Sequence, residues 1–159
     1  MILGKMSTDK YVMIKIISFD EILPIWRDYL WPKRHSSIDP NSAMCFLGEY
    51  DLVNMQTVPT FFSYVIDGEI AGVNSGHMSK DNYYRSRGLY VFPNFRGKSI
   101  GTLLLTATIE QAKAENAVLC WSYPRKSSWK SYLAAGFELA SDWGGSETSD
   151  ANAYCKIDL

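Results

Sequence analysis

The residues with the most chemical promise run from Leu89 to Thr102, in the order Leu-Tyr-Val-Phe-Pro-Asn-Phe-Arg-Gly-Lys-Ser-Ile-Gly-Thr. An apolar strand ends there at Pro93, which has no backbone N–H to offer a neighbouring strand. A loop holding Gly97 and Gly101 follows, and a helical pattern begins. The start of a helix presents N–H groups without intrahelical partners, and the positive end of its dipole, so this junction suits an anion. Gly97-Lys98-Ser99 matches the end of a nucleotide P-loop, but Phe92 stands where that motif has its first glycine. The dinucleotide fingerprint fails as well, because Gly97-Lys98-Ser99-Ile100-Gly101 lacks its second glycine. Spacing alone leaves two readings: an anion cradle, or an ordinary strand–helix connection.

The elements that must position this loop fit one domain. A chain of 159 residues, 47% hydrophobic and 21% charged, can bury a single core and has an ordinary globular balance. A net charge of −1 gives no electrostatic reason to expect nucleic acid or a membrane surface as partner. No apolar run approaches the ~20 residues of a membrane span. The 1–10 segment lacks a long apolar core and reads as a loose leader, which leaves 11–159 as the domain. Cys45, Cys120 and Cys155 are odd in number and lack CxxC spacing, which points to buried thiols in a reducing cytoplasm rather than a metal site.

In chain order, Tyr11–Ile17 is β-branched and reads as a strand. Ser18-Phe-Asp-Glu21 is a capping box, and Ile22, Leu23, Trp26, Tyr29 and Leu30 continue at helical spacing to Trp31, with Pro24 set to kink the helix. Between Lys33 and Pro59 the pattern weakens, and Met44–Leu52 reads as a second short helix. Thr60–Ile66, the Asp67-Gly68 turn and Glu69–Met78 form a hairpin, with Gly72 and Gly76 marking a bulge or a close approach. Tyr84–Phe92 completes a meander. A helix over Gly101–Asn116 then carries Leu104, Leu105, Thr108, Ile109 and Ala112 on one face. Val118–Ser122 is an apolar strand, parallel to the fourth by a right-handed crossover. Lys126–Ala135 is helical with Gly136 as its C-cap. Phe137–Trp143 and Ala153–Ile157 close the sheet, with a polar, mobile Gly144–Asp150 between them.

Arg96-Gly97-Lys98-Ser99-Ile100-Gly101 resembles the (Gln/Arg)-x-x-Gly-x-(Gly/Ala) signature of the GNAT N-acetyltransferases. Tyr132-Leu133-Ala134-Ala135-Gly136-Phe137 resembles the Tyr-x-x-x-Gly-Phe ending of that family's penultimate helix, and the element order agrees along nearly the whole chain. The resemblance implies an α+β fold, with a mixed sheet of about seven strands flanked by about four helices. It also implies direct transfer of an acetyl group from acetyl-CoA to a primary amine of a small molecule or peptide, without a metal. A GNAT-fold module that binds CoA and no longer transfers is the alternative, and a homodimer stays open.

The same resemblance assigns residues. The backbone N–H groups of Arg96, Gly97, Lys98, Ser99, Ile100 and Gly101, with Thr102, would hold the pyrophosphate. The main chain of Leu89, Tyr90 and Val91 would pair with pantetheine where two strands splay, and an N–H near Val91 would polarise the thioester carbonyl. Tyr132 would protonate the departing thiolate. Ser99 replaces the family's middle glycine, which is compatible with binding if its backbone avoids the glycine-only region. Arg125 stands where the family often has Asn, with a CoA phosphate as a further partner. The fourth strand offers Arg85, Ser86 and Arg87 where some members carry a glutamate. The base is therefore open among His77, Asp81, Glu49, Asp51 and water. Trp26, Tyr29, Trp31 and Phe46 serve either the core or an acceptor pocket.

Overall fold

A computed structural model of the chain describes residues 2–5, 11–145 and 151–159. One mixed sheet of eight strands runs through it in the order β1-β2-β3-β4-β5-β6-β8-β7. Its strands are β1 (Ile2–Lys5), β2 (Tyr11–Ile17), β3 (Thr60–Ile66), β4 (Glu69–Ser79), β5 (Tyr83–Val91), β6 (Leu119–Ser122), β7 (Glu138–Leu139) and β8 (Cys155–Asp158). The eighth strand beyond the expected seven is β1, which pairs antiparallel with β2 where the sequence reads as a loose leader. Among the described residues three α-helices flank the sheet, beside the expected number of about four: α1 (Phe19–Ile25), α2 (Ile100–Ala114) and α3 (Trp129–Ala135).

Local chemistry explains most boundaries. Ser18 caps α1 by accepting the Glu21 N–H at 3.2 Å while Glu21 reaches back, the reciprocal pair of a capping box. Pro24 lies inside α1 and supplies no N–H, and just beyond it the chain widens into a π turn over Trp26–Leu30. That turn is closed by the Trp31 N–H donating to the Trp26 carbonyl at 2.8 Å. The Asp67-Gly68 hairpin has φ of 49° and 82°, the left-handed pair that a two-residue turn requires. Ala71 is an extra residue in β4, because Tyr64 faces Gly72 while Val65 faces Ile70.

Met44–Leu52 is not a helix. Leu47 and Gly48 have positive φ, an isolated bridge joins Met44 to Tyr50, and short 3-10 turns cover Phe46–Gly48 and Leu52–Gln56. The expected closing pair is also shorter, since only Glu138–Leu139 pairs with β8. Residues 146–150 of the Gly144–Asp150 loop lie outside the described residues.

Both faces of the sheet are covered. Ile22, Ile25 and Trp26 pack with Phe61 and Val73 on one face. On the other, α2 packs Leu104 and Ala107 against Ile14, Phe62 and Tyr64, and Leu105, Ile109 and Ala112 against Tyr84 and Cys120. All five residues expected on the buried face of α2 are buried. A polar clamp joins the layers: Asn74 Nδ2 donates to Ser86 Oγ at 2.9 Å and to Thr108 Oγ1 at 2.8 Å. Strand β6 runs parallel to β5, as the crossover rule requires.

Candidate functional site

The site begins with an irregularity in β5. Val73 faces Tyr90 and Ser75 faces Arg87, so Gly88 and Leu89 together oppose Asn74. This bulge turns Gly88 to φ 82° and lets its carbonyl accept the Trp26 indole N–H at 2.9 Å. It also reverses which residues point which way. Leu89 and Val91 pack with the α2 cluster, whereas Tyr90 and Phe92 pack with the α1 cluster, on the same side as Arg87 over the Trp26 ring.

Strand β6 stops short of that bulge. It pairs with β5 only from Tyr83 to Arg85 and ends at Ser122, whose Oγ donates to the Ser86 carbonyl at 2.8 Å. From there the two strands separate. The Phe92 N–H donates to Ala71 on β4 at 2.9 Å, so the N–H and carbonyl of the preceding Val91 face away from β4, into the gap. The Val91 carbonyl accepts Arg96 Nε at 2.8 Å, and the Arg96 guanidinium lies 5.5 Å from the Tyr90 ring. Arg96 thus fastens the glycine loop to the end of the open strand.

The loop then enters α2. The first bond of that helix runs from the Leu103 N–H to the Ser99 carbonyl at 3.1 Å, which leaves the N–H groups of Ile100, Gly101 and Thr102 without intrahelical acceptors. Gly97 has φ 78° with nothing within 4 Å of a would-be Cβ, so the backbone there is open to approach. Gly101 has a different job: a Cβ on it would meet Ser131 Oγ at 2.9 Å, so it lets α3 pack on α2. Ser99 takes φ 63° and ψ 19°, a left-handed geometry that other residues enter at a cost of about 1 kcal/mol and not the glycine-only region. Ser99→Gly is therefore expected to stabilise the fold by roughly 0.5–1 kcal/mol, seen as a higher urea midpoint at unchanged slope.

One cleft of about 1380 Å³ contains Leu89–Val91, Arg96, Gly97, Ser99–Thr102 and Tyr132. Lys98 is the exception, exposed and outside the cleft wall with its ammonium 5.8 Å from the Phe95 ring. Tyr132 is buried on α3; its hydroxyl lies 3.4 Å from Ser122 Oγ, whose one proton goes to the Ser86 carbonyl, and Phe137 packs against its ring. Burial pushes the phenol well above its ordinary pKa, so it stays protonated at neutral pH. Gly136 at φ 106° ends α3 and brings the Phe137 N–H back to the Tyr132 carbonyl at 3.0 Å.

None of the four candidate bases lines the cleft. His77 is fully buried opposite Arg85, and burial first, then Arg85 and Arg87, lower its pKa to about 3. Glu49 faces Lys80 at 3.9 Å, Asp51 accepts the Val53 N–H at 3.0 Å, and Asp81 sits in the β4–β5 turn. The carboxylate that does line the cleft among the described residues is Asp39, in the weakly patterned 33–59 stretch. Arg125 Nη2 donates across to the Leu30 carbonyl at 3.0 Å. Of the four candidate aromatics, Tyr29 and Trp31 line the cleft, Trp26 is core, and Phe46 packs on Tyr83, Trp121 and Tyr154.

Residues 20–137, well over half of the chain, match the acetyltransferase (GNAT) family model. The chain belongs to the GNAT acetyltransferase family. An acetyltransferase of the GNAT family from Staphylococcus aureus superposes with a TM-score of 0.64 at 14% identity, over 93% of this chain and 99% of that one. The IAA acetyltransferase from Bacillus cereus gives 0.66 at 17%, again over 93% and 99%. A Bacillus subtilis acetyltransferase solved in complex with CoA gives 0.60 at 15%, over 93% and 99%. No curated protein matches the chain in sequence. As a GNAT domain the chain has the open edge, the glycine loop and the helix start lining the same cleft. Among the described residues, no helix is long and apolar enough to cross a membrane.

Proposed function

We propose that this GNAT protein transfers an acetyl group from acetyl-CoA directly to a primary amine. The observation that carries the reading is the continuity of the unpaired β5 edge at Val91 with the free N–H groups of Ile100–Thr102, in the cleft that holds Tyr132. Gly97 and Ser99–Thr102 would take the pyrophosphate on N–H groups, and Leu89–Val91 would pair with the pantetheine amides. Lys98 contributes its main chain alone. Bound acetyl-CoA supplies an activated thioester, and the CoA complex of the Bacillus subtilis neighbour supports that choice of donor. In the transfer a C–N bond forms, the C–S bond breaks, the amine loses one proton and the thiolate gains one. In this reading the Val91 N–H would donate to the carbonyl oxygen, and the Tyr132 hydroxyl to the sulfur.

The cleft also explains how an amine reacts without a strong base. Arg34, Arg85, Arg87, Arg96, Arg125 and Lys130 line it against a single carboxylate, Asp39, among the described residues. Six cations favour the uncharged, nucleophilic amine over the ammonium, because like charges lower an amine's pKa. Asp39 or water then takes the proton. Three buried free cysteines fit a cytoplasmic setting. The reading is tested by calorimetric titration with acetyl-CoA, then by thiol release over a panel of amines. Binding with turnover on at least one amine is expected. Binding without turnover on any amine would favour the CoA-binding module, which the absence of a carboxylate on β5 keeps in view, and no binding would remove both.

A further inference from the structure

Two of these six cleft cations are buried without a counter-ion among the described residues. Arg85 and Arg87 lie two apart on β5, so their side chains share a face, and both are buried in the cleft wall. The Arg85 guanidinium sits 5.0 Å from the Trp121 ring, and its buried Nε has no hydrogen-bond partner among the described residues. Arg87 stacks 5.0 Å from Trp26 and 5.3 Å from Trp31, and its Nη1 donates to the carbonyls of Asp39 at 2.8 Å and Pro40 at 3.3 Å. Among the described residues no carboxylate comes within 4.0 Å of either guanidinium.

Burying an uncompensated charge is costly, and a protein tolerates it where a counter-ion arrives with the ligand. The pyrophosphate cannot be that ion. Arg85 is six strand residues from Val91, about 20 Å at the rise of an extended chain, on the far side of the bulge from the glycine loop. With its face near the Trp121 ring, Arg85 has the edge of its fork as its hydrogen-bonding group, and a fork matches a planar carboxylate, whereas Arg87 already spends Nη1 on two carbonyls. Burial lowers the two pKa values only to about 10 for Arg85 and about 9 for Arg87, so both remain cations at neutral pH.

We propose that the acceptor is an amino carboxylate, a small molecule of amino-acid type, whose carboxylate pairs with Arg85 while Arg87 braces the wall behind it. This rests on the transferase reading above. The cations have a double effect: they hold the acceptor by its acid and keep its amine uncharged.

The experiment compares initial rates on matched acceptors, each amino acid beside its amide and its decarboxylated amine, with acetyl-CoA and with succinyl-CoA. With acetyl-CoA, kcat/KM is expected to be at least 10-fold higher for the carboxylate member of the productive set. Arg85→Met should erase that preference through KM, leave acetyl-CoA affinity within two-fold, and keep or raise Tm, since a buried charge has gone. Arg85→Lys, which retains charge without the fork, should lose part of the preference. Equal rates on acid, amide and amine would overturn the carboxylate assignment and leave the transferase reading standing. A preference for succinyl-CoA on carboxylate-free amines would overturn it too, by giving the arginines to the acyl group. A fall in Tm with equal loss on every acceptor would make Arg85 structural and overturn it. Acetyl-CoA binding with no acetylation of any amine would remove the transferase reading, and this inference with it.

Discussion

Gly88→Ala is expected to destabilise the protein by about 3 kcal/mol, combining roughly 1–2 for a left-handed backbone with 1–3 for overpacking. Gly88 has φ 82°, and a Cβ placed on it would collide with the indole of Trp26. Trp26 has nowhere to go: it is fully buried, packs against Phe19, Trp31 and Phe61, and is tied by its indole N–H to the Gly88 carbonyl. The control is Gly68→Ala. Gly68 has the same φ of 82° in the β3–β4 turn, but nothing lies within 4 Å of its would-be Cβ. It should therefore lose about 1 kcal/mol, the conformational part alone. Urea unfolding of the two variants separates strain from collision, and equal losses would show that Trp26 yields.

Tyr132→Phe is expected to reduce kcat by roughly 100-fold while acetyl-CoA affinity stays nearly constant, the pattern of a lost proton donor. Stability should change little. The hydroxyl's one hydrogen bond in the structure is long, 3.4 Å from Ser122 Oγ, and Ser122 keeps its 2.8 Å bond to the Ser86 carbonyl when the phenol oxygen goes. The ring also keeps its place against Phe137. Thiol release under saturating substrate reads the effect. Unchanged turnover would remove Tyr132 from the acid role and leave the thiolate to depart unassisted.

Where a feature follows from neighbouring residues, it was legible in the sequence. The Ser18 capping box, the Asp67-Gly68 turn and the Gly136 C-cap each need only a few adjacent side chains, and each appears as expected. The glycine loop was legible for the same reason. What sequence could not supply was the meaning of a strand face. Alternation puts Arg85 and Arg87 together, but only the end of β6 at Ser122 makes the space beyond them a cleft. His77 lies buried outside the cleft lining on the same ground, because its neighbours across the sheet, not along the chain, cover it. Asp39, before Pro40 in the weakly patterned 33–59 stretch, carries a turn signal and nothing that marks it for a cleft. The Met44–Leu52 helix was lost to Leu47 at φ 68°, a conformation that composition does not announce.

The bulge at Gly88 divides β5 into two halves with opposite parity. Residues after it, Leu89 to Val91, belong with the glycine loop; residues before it, Arg85 to Arg87, belong with the other wall of the cleft. Because the extra residue absorbs the change of phase, substitutions in the first half need not disturb the second. If the proposed assignments hold, donor and acceptor recognition would be separable inheritances on one strand. A lineage of such proteins would then exchange its amines at positions 85–87 while the machinery for the common acyl donor passed unaltered from 89 onward.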